Sequence, residues 1–242
     1  MIKHLKKASI AVVCALVASL PVNAEDAKSE GRREGFRVYL GLQVGGTHQT
    51  LDGTVVDGVG TGRTSSNITA TCYTPVAGPI VGFDYIFASW LLGAQINLDF
   101  SNIDHTHRHT DSQVFGGFVR QIKMKTRNGG PLQISARAGA FINEVLLYVR
   151  VGWDYRCFNI QVDIPQTLST ADLNKNMSWS GLLAGLGAEF ELFKDSKLRL
   201  EYGFVTTSFK EESIASAGQP ATIIKARPYS STIKAGLIFY LT

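Results

Sequence analysis

In residues 146–158, "LLYVRVGWDYRCF", polar and apolar residues alternate with a period of two. The even positions carry Arg150, Asp154 and Arg156, whereas the odd positions from Leu147 to Tyr155 are all apolar or aromatic. Successive side chains of an extended strand point to opposite faces, so this segment has one charged face and one apolar face. An alternation of this length predicts a β-strand.

The same period returns in seven further segments, which predicts an all-β chain with eight antiparallel strands. These segments are 36–46, 80–87, 91–101, 132–142, 179–192, 198–209 and 231–241. Three connections are short (88–90, 143–145, 193–197) and four are long (about 47–78, 102–131, 159–178, 210–229). Short turns that alternate with long loops are typical of a transmembrane β-barrel with short periplasmic turns and long extracellular loops. Residues 114–126 are also strand-like, and we assign them to a hairpin within the second long loop.

The first 24 residues have the features of a secretory signal peptide. Lysines at positions 3, 6 and 7 precede the 13-residue apolar run "ASIAVVCALVASL", and small residues stand at the positions before cleavage, Val22 and Ala24. This run is shorter than the roughly 18 residues that a transmembrane helix needs. We therefore predict cleavage after Ala24, a short periplasmic leader over 25–35, and a barrel over 36–242.

Charge and motifs argue against two classes of function. Three of the 24 Lys and Arg residues lie in the signal peptide, which leaves 21 against 20 acidic residues. A nearly neutral mature chain gives no reason to expect a nucleic-acid partner. No serine is tied by a motif to a histidine and a carboxylate, so we predict no enzymatic activity.

Two cysteines remain after the signal peptide, Cys72 and Cys157. Both are predicted on the extracellular side, and the chain is exported to an oxidising compartment. The even count predicts a disulfide that ties the first long loop to the barrel rim. Two free thiols are the alternative.

Twelve charged residues lie on the polar faces of the predicted strands, six cations and six anions. They are Arg37, Asp84, Asp99, Arg137, Arg150, Asp154, Arg156, Glu189, Glu191, Arg199, Glu201 and Lys234. In lipid the apolar face must point outward, so these residues would fill the lumen. An eight-stranded barrel is only wide enough for its own side chains. We therefore predict a salt-bridged, closed lumen, with a narrow ion path as the alternative.

A soluble lipocalin-type barrel is the competing architecture, because alternation alone does not say which face points inward. In such a barrel the apolar face would line a ligand cavity. Strand length, aromatic residues near the strand ends and the asymmetry between turns and loops favour the membrane.

The stretch "DHTHRHTD" (104–111) holds three of the five histidines at alternate positions, His105, His107 and His109, followed by Asp111. If this stretch continues the third strand, these four residues lie on the same face as the lumen-facing residues of that strand. Two or three imidazoles and a carboxylate could bind Zn²⁺ or Cu²⁺, and one histidine could be an axial ligand to haem. A solvated loop without a ligand is the simpler interpretation, and we predict no resident cofactor.

Four segments resemble the family of OmpA-like and opacity-type outer-membrane surface barrels: "WLLGAQINLDFSNID", "ISARAGAFINEVLLYVRVGWDY", "GLLAGLGAEFEL" and "LRLEYGFVTTSF". The matching positions are Arg137, Gly139, Leu147, Tyr148, Gly152, Glu189, Glu201 and Tyr202. The resemblance spans roughly 36–242 and implies an outer-membrane location, contact with outer-membrane lipid, and assembly by the outer-membrane machinery. The chain ends "FYLT", whereas family members usually end on an aromatic residue.

These features predict a bacterial outer-membrane surface protein that acts in envelope integrity and in surface interaction or adhesion through its loops. A host surface receptor is a candidate partner. The resemblance includes adhesive and haem-binding barrels, so a metal- or haem-binding surface barrel is the alternative, and a narrow porin is the third possibility.

Overall fold

The computed structural model describes residues 34–57, 64–101, 104–110, 119–126, 130–163, 173–193, 195–214 and 222–241. Within them, 104–110, 119–126 and 158–163 are described by their backbone and strand register. The eleven strands are β1 (Gly35–Asp57), β2 (Thr64–Phe87), β3 (Trp90–Leu98), β4 (Asp104–Thr110), β5 (Val119–Thr126), β6 (Leu132–Ile142), β7 (Val145–Asp163), β8 (Leu173–Phe193), β9 (Ser196–Thr207), β10 (Lys210–Ile214) and β11 (Thr222–Leu241). Among these residues, no helix is long and apolar enough to cross a membrane.

Eight of the strands close into a ring. Each is hydrogen-bonded to the next in the order β1, β2, β3, β6, β7, β8, β9 and β11, and β11 pairs with β1. All eight pairings are antiparallel. The structure thus confirms the predicted eight-stranded antiparallel barrel. The hairpin β4–β5 stands outside the ring and pairs with β7, as expected for a hairpin in the second long connection.

The strand register fixes the width and tilt of the barrel. From Gln49 on β1, the directly paired residues around the ring are Ser230, Val205, Leu183, Gly152, Ser135, Gln95, Gly82 and finally Tyr39, again on β1. One turn of the ring therefore shifts the register by ten residues, from Gln49 to Tyr39. With about 3.3 Å per residue and about 4.8 Å between strands, this stagger gives a strand tilt of about 41° and a backbone radius of about 8 Å. Side chains alone can fill such an interior.

The outer face of the ring is apolar over the height of a membrane. On β7 the outward residues from Val145 to Tyr155 are all apolar or aromatic, and Val151 is 61% exposed. The ten residue steps from Val145 to Tyr155 rise about 33 Å along the strand, or about 25 Å along the barrel axis at the tilt above. This matches the apolar band of about 25 Å on membrane barrels. The exposed apolar exterior and the buried polar interior exclude the lipocalin-type alternative.

The two ends of the barrel differ. At the turn end, β2 joins β3 through Ala88–Ser89, β6 joins β7 through Asn143–Glu144, and the chain enters β1 and leaves β11. Ala88 and Asn143 have positive φ angles of 49° and 55°, which fits two-residue hairpin turns. At the opposite end, strands β1, β2, β7 and β8 continue beyond the apolar band, and we call this end the extension end.

The four long connections contain much more strand than predicted. The first of them, predicted over about 47–78, belongs mainly to β1 and β2, which pair continuously as far as Asp57 and Thr64. Strands β7 and β8 likewise extend to Asp163 and from Leu173, and β10 pairs with the start of β11. The prediction of long loops is therefore wrong for these residues, because hydrogen-bonded strand pairing continues beyond the point where the apolar alternation ends.

Candidate functional site

The lumen buries ten of the twelve charged residues predicted to face it. Each is 5% exposed or less, and they comprise five cations and five anions: Arg137, Arg150, Arg156, Arg199 and Lys234, with Asp84, Asp99, Asp154, Glu189 and Glu201. They project from several different strands of the ring. A buried charge is costly unless it is paired, so their arrangement decides whether the lumen is stable.

A lower cluster, near the turn end, contains three cations and three carboxylates. Arg137 contacts both Asp84, with Nε to Oδ1 at 2.8 Å, and Glu189, with Nη1 to Oε1 at 2.5 Å. Arg199 donates to the same Glu189 Oε1 from Nε at 2.9 Å and from Nη2 at 2.6 Å. Arg150 Nη2 lies 2.7 Å from Glu201 Oε1. This cluster is electroneutral.

An upper cluster contains two cations and two carboxylates. Lys234 Nζ lies 2.5 Å from Asp99 Oδ2, and Arg156 pairs with Asp154. Gln133 connects the two pairs, because its Nε2 donates to Asp154 at 2.8 Å and its Oε1 lies 3.5 Å from Lys234 Nζ. The upper cluster is also electroneutral, so the charges balance locally as well as in total.

Three uncharged polar residues, none of which was predicted to face the lumen, complete both clusters. Tyr148 donates to Glu201 at 3.0 Å, Tyr240 lies within 3.1 Å of Asp84 and Glu189, and Gln43 donates to Asp99 at 2.6 Å. They share the strand parity of the charged residues on β7, β11 and β1. The same period-two rule that selected the charges would have found them.

Glycines on neighbouring strands make room for the large lumen side chains. Gly187 pairs with Tyr148 across β8 and β7, and a Cβ atom at Gly187 would lie 2.4 Å from the tyrosine Cζ. Tyr39 lies against its partner Gly82 in the same way, with a Cβ-to-hydroxyl distance of 2.4 Å. Such close approach requires glycine and leaves little free space around the rings.

Two of the twelve predicted lumen charges occupy different environments. Glu191 is exposed, because it lies at the last residues of β8, where the register shifts between Glu191 and Phe193. Its assignment to the buried lumen is therefore wrong. Arg37 is half-buried at the start of β1, opposite Asp84, with its guanidinium 5.9 Å from the ring centre of Tyr240.

The predicted disulfide is also wrong in this structure, where Cys72 and Cys157 are free and half-buried. Strands β3 and β6 lie between β2 and β7 in the ring, whereas a disulfide needs Cα atoms within about 7 Å. Cys72 is at an even position of β2, as are the lumen-facing residues of that strand. Cys157 is at an odd position of β7, as are the outward-facing residues of that strand. The Cys157 thiol donates to the Tyr155 hydroxyl at 3.5 Å. Burial raises the pKa of the Cys72 thiol, which lies beyond the apolar band.

The histidine segment is a strand, not an irregular loop. His105, His107 and His109 lie on β4 and pair with Met124, Ile122 and Arg120 of β5. Asp111, the fourth predicted ligand, lies outside the described residues. Among the side chains that the structure describes, no group of three or more His, Cys, Asp or Glu residues could hold a metal ion.

A closed eight-stranded barrel with an apolar exterior and a paired, charged interior is a transmembrane β-barrel. Among solved structures, the chain is similar to the outer membrane protein OprG of Pseudomonas aeruginosa, with 16% identity and a TM-score of 0.45, over 87% of this chain and 98% of that one. It is also similar to Ail, the attachment invasion locus protein of Yersinia pestis (14% identity, TM-score 0.35, 86% and 100% covered). Neisserial surface protein A is a third (12% identity, TM-score 0.36, 85% and 99% covered).

No protein-family description and no curated protein matches the chain. The assignment to the transmembrane β-barrels therefore rests on the closed ring, the stagger of ten residues and the distribution of charge between the two faces. Membership of the OmpA-like and opacity-type barrels in particular stays a prediction.

Proposed function

We propose that the chain is an outer-membrane surface protein of a Gram-negative bacterium. Its barrel anchors it and supports the envelope, and its strand extensions carry surface interaction, including adhesion to a host receptor. The observation that carries the proposal is the local pairing of ten buried charges inside an apolar exterior. Such a lumen favours an anchor over a pore, because the two clusters are each neutral and offer no net charge to attract a permeating ion.

The orientation follows from the two ends of the barrel. Membrane barrels keep short turns on the periplasmic side and long connections outside. The turn end, with Ala88–Ser89 and Asn143–Glu144, would then face the periplasm. The extension end would face the medium, and its paired strands present polar residues such as Asn67, Thr69 and Thr71, all exposed.

Planar-bilayer recording tests the closed lumen against the narrow-channel alternative. The folded wild-type barrel is expected to give no stepwise conductance. A variant with both Lys234→Ala and Asp99→Ala removes a neutral pair and leaves space in the upper cluster, so it serves as the control in which small conductance steps should appear. Steps from the wild-type protein at the size of the control would reject the closed lumen.

Trimming the extensions tests the surface role. Residues 51–70 are replaced by a two-residue Asn-Gly turn, which keeps the barrel part of β1 and β2. A second variant with the β7–β8 extension shortened in the same way is the matched control. We expect host-cell binding by bacteria that display the protein to fall in the variant without residues 51–70. Binding should persist in the variant with the shortened β7–β8 extension, and both barrels should be folded. Unchanged binding in both would reject adhesion through these extensions.

A further inference from the structure

The outward face of β11 carries two cations beyond the apolar band, Lys225 and Arg227. They alternate with Ala226 and Pro228, which are buried, so both cations point away from the lumen. Arg227 lies four residues beyond Ser231, which stands at the upper edge of the apolar band. At about 3.3 Å per residue and a strand tilt of about 41°, the Arg227 Cα atom is about 10 Å above this edge. The headgroup layer of a bilayer is about 5–8 Å thick, so a long side chain at this height reaches it.

A bulge in the neighbouring strand places an aromatic ring beside Arg227. Between the last pair of β9 and the first pair of β10, three residues stand opposite two of β11. Pro228, one of these two, has no amide hydrogen to donate, and the Thr207 hydroxyl donates to its carbonyl at 2.7 Å. Phe209 lies in the bulge and is 51% exposed. The guanidinium carbon of Arg227 is 4.9 Å from the centre of this ring, which is a cation–π contact.

Two acidic residues lie in the rows beside Arg227, and both are engaged elsewhere. Asp52 stands directly opposite Arg227 on β1, but its Oδ1 accepts from the Thr69 hydroxyl of β2 at 3.3 Å. Glu211 lies 3.6 Å from Lys225, with both side chains more than half exposed, so this ion pair is weak. The Nε atom of Arg227 has no hydrogen-bond partner among the residues that the structure describes. The guanidinium thus keeps donors for a further anion.

The two ends of the barrel differ in their exposed charges. Four exposed carboxylates lie at the turn end, where no described cation is exposed: Glu34, Glu144, Glu191 and Asp195. The outward cations of β11 lie instead at the extension end, which would face the medium. In a Gram-negative outer membrane the leaflet on that side is built from a phosphorylated glycolipid, lipid A, so phosphate groups are dense at the height of Arg227.

We propose that Arg227 and Lys225 bind a phosphate group of this glycolipid. The proposal rests on the outer-membrane orientation proposed above. A guanidinium presents its N–H donors in a planar fork that matches two phosphate oxygens, and this edge stays available when the face of the group packs on an aromatic ring. Lys225 lies on the same face, one step farther from the membrane, and adds a second charge. The acyl chains would lie against outward apolar residues below, such as Ile233, which is 68% exposed.

The test is native mass spectrometry of the full chain, folded in detergent micelles and titrated with lipid A or with lipid A whose phosphates have been removed. We expect the wild type to bind the phosphorylated lipid about tenfold more tightly or better, since each of two cations contributes a factor of about five. Arg227→Gln and Lys225→Gln should each lower the affinity for lipid A about fivefold. Neither should change the affinity for the dephosphorylated lipid. Glu211→Gln removes a nearby carboxylate and should raise the affinity for lipid A.

Lys210→Gln is the matched control. Lys210 is exposed and follows Phe209 directly, but its ammonium donates to the carbonyl of Ser178 on β8. This variant should bind lipid A within about twofold of the wild type. Inorganic phosphate should not displace lipid A when it is compared with chloride at the same ionic strength, because it lacks the acyl chains that rest on the barrel.

Three results would each overturn the proposal: equal wild-type affinity for the two lipids, equal effects of Arg227→Gln and Lys210→Gln, or displacement of lipid A by inorganic phosphate. Heat-dependent gel mobility shows that each variant has a folded barrel. Binding in micelles does not depend on where the protein lies in the cell, and cell fractionation tests the outer-membrane location separately. A failure of the lipid site is therefore distinguishable from a failure of the proposed function.

Discussion

Replacing Glu189 by glutamine tests whether charge pairing stabilises the lumen. Glu189 is fully buried and is the only carboxylate paired with Arg199 in the described structure. Glutamine has almost the same shape, and its oxygen can still accept from both Arg137 and Arg199. The substitution therefore removes one negative charge with little change in packing, and it leaves three cations against two carboxylates in the lower cluster.

The expected cost is about 3–5 kcal/mol of unfolding free energy, the usual range for removing one partner of a buried ion pair. This lowers the folding equilibrium constant roughly a hundredfold to a few thousandfold, since every 1.4 kcal/mol is a factor of ten. The measurement is urea unfolding in phospholipid vesicles, followed by tryptophan fluorescence and checked by gel mobility. Arg137 keeps Asp84 as a partner, so most of the cost arises at Arg199.

Glu191→Gln is the matched control, because Glu191 lies two residues along the same strand but is exposed. It should change stability by less than about 0.5 kcal/mol. Adding Arg199→Met to Glu189→Gln restores charge balance and should recover most of the loss, since apolar replacements of buried pairs are often neutral. If Glu189→Gln costs under about 1 kcal/mol, or no more than Glu191→Gln, charge pairing does not stabilise this lumen.

Two further substitutions probe the outer face and the packing inside. Leu237, midway along the outward apolar residues of β11, should lose about 2–4 kcal/mol on mutation to Arg, whereas Ser231→Arg above the apolar band should cost about 0–1 kcal/mol. Equal urea midpoints for these two variants would contradict the placement of Leu237 at the membrane centre. Gly187→Ala forces a Cβ atom to within 2.4 Å of Tyr148 and should cost about 1–3 kcal/mol, whereas Gly46→Ala meets nothing within 4 Å. A stable Gly187→Ala barrel, as resistant to urea as Gly46→Ala, would show that the tyrosine can move aside.

The sequence predicts the ring well, because lipid imposes a strict pattern on it. Every second residue of a spanning strand must be apolar, and Leu147, Val149, Val151, Trp153 and Tyr155 obey this rule on β7. Above the apolar band both faces of a strand meet water or polar neighbours, so the period disappears although the strand continues. The β1–β2 extension is held by its ladder and by side-chain pairs such as Thr69 to Asp52, at 3.3 Å.

Four of the six ion pairs in the lumen could not be predicted, because their partners come from strands that are not neighbours. Arg137 of β6 meets Glu189 of β8, and Lys234 of β11 meets Asp99, which follows β3. These contacts depend on the stagger of ten residues, which no local pattern encodes. The cysteine error was avoidable, since Cys157 follows Arg156 directly and must therefore point away from the lumen.

The charged lumen also explains how the register of the ring is specified. A buried ion pair adds little stability over apolar residues of the same volume, so stability alone does not account for ten buried charges. With an apolar interior, both faces of each strand would be apolar, and a strand could slip by one residue at little cost. With charges inside, a one-residue slip of β7 turns Arg150 and Asp154 toward the lipid. An arginine that faces lipid at mid-membrane costs about 2–4 kcal/mol. We infer that the network selects one register among several of similar packing, and that each strand of the ring with a lumen charge contributes to that choice.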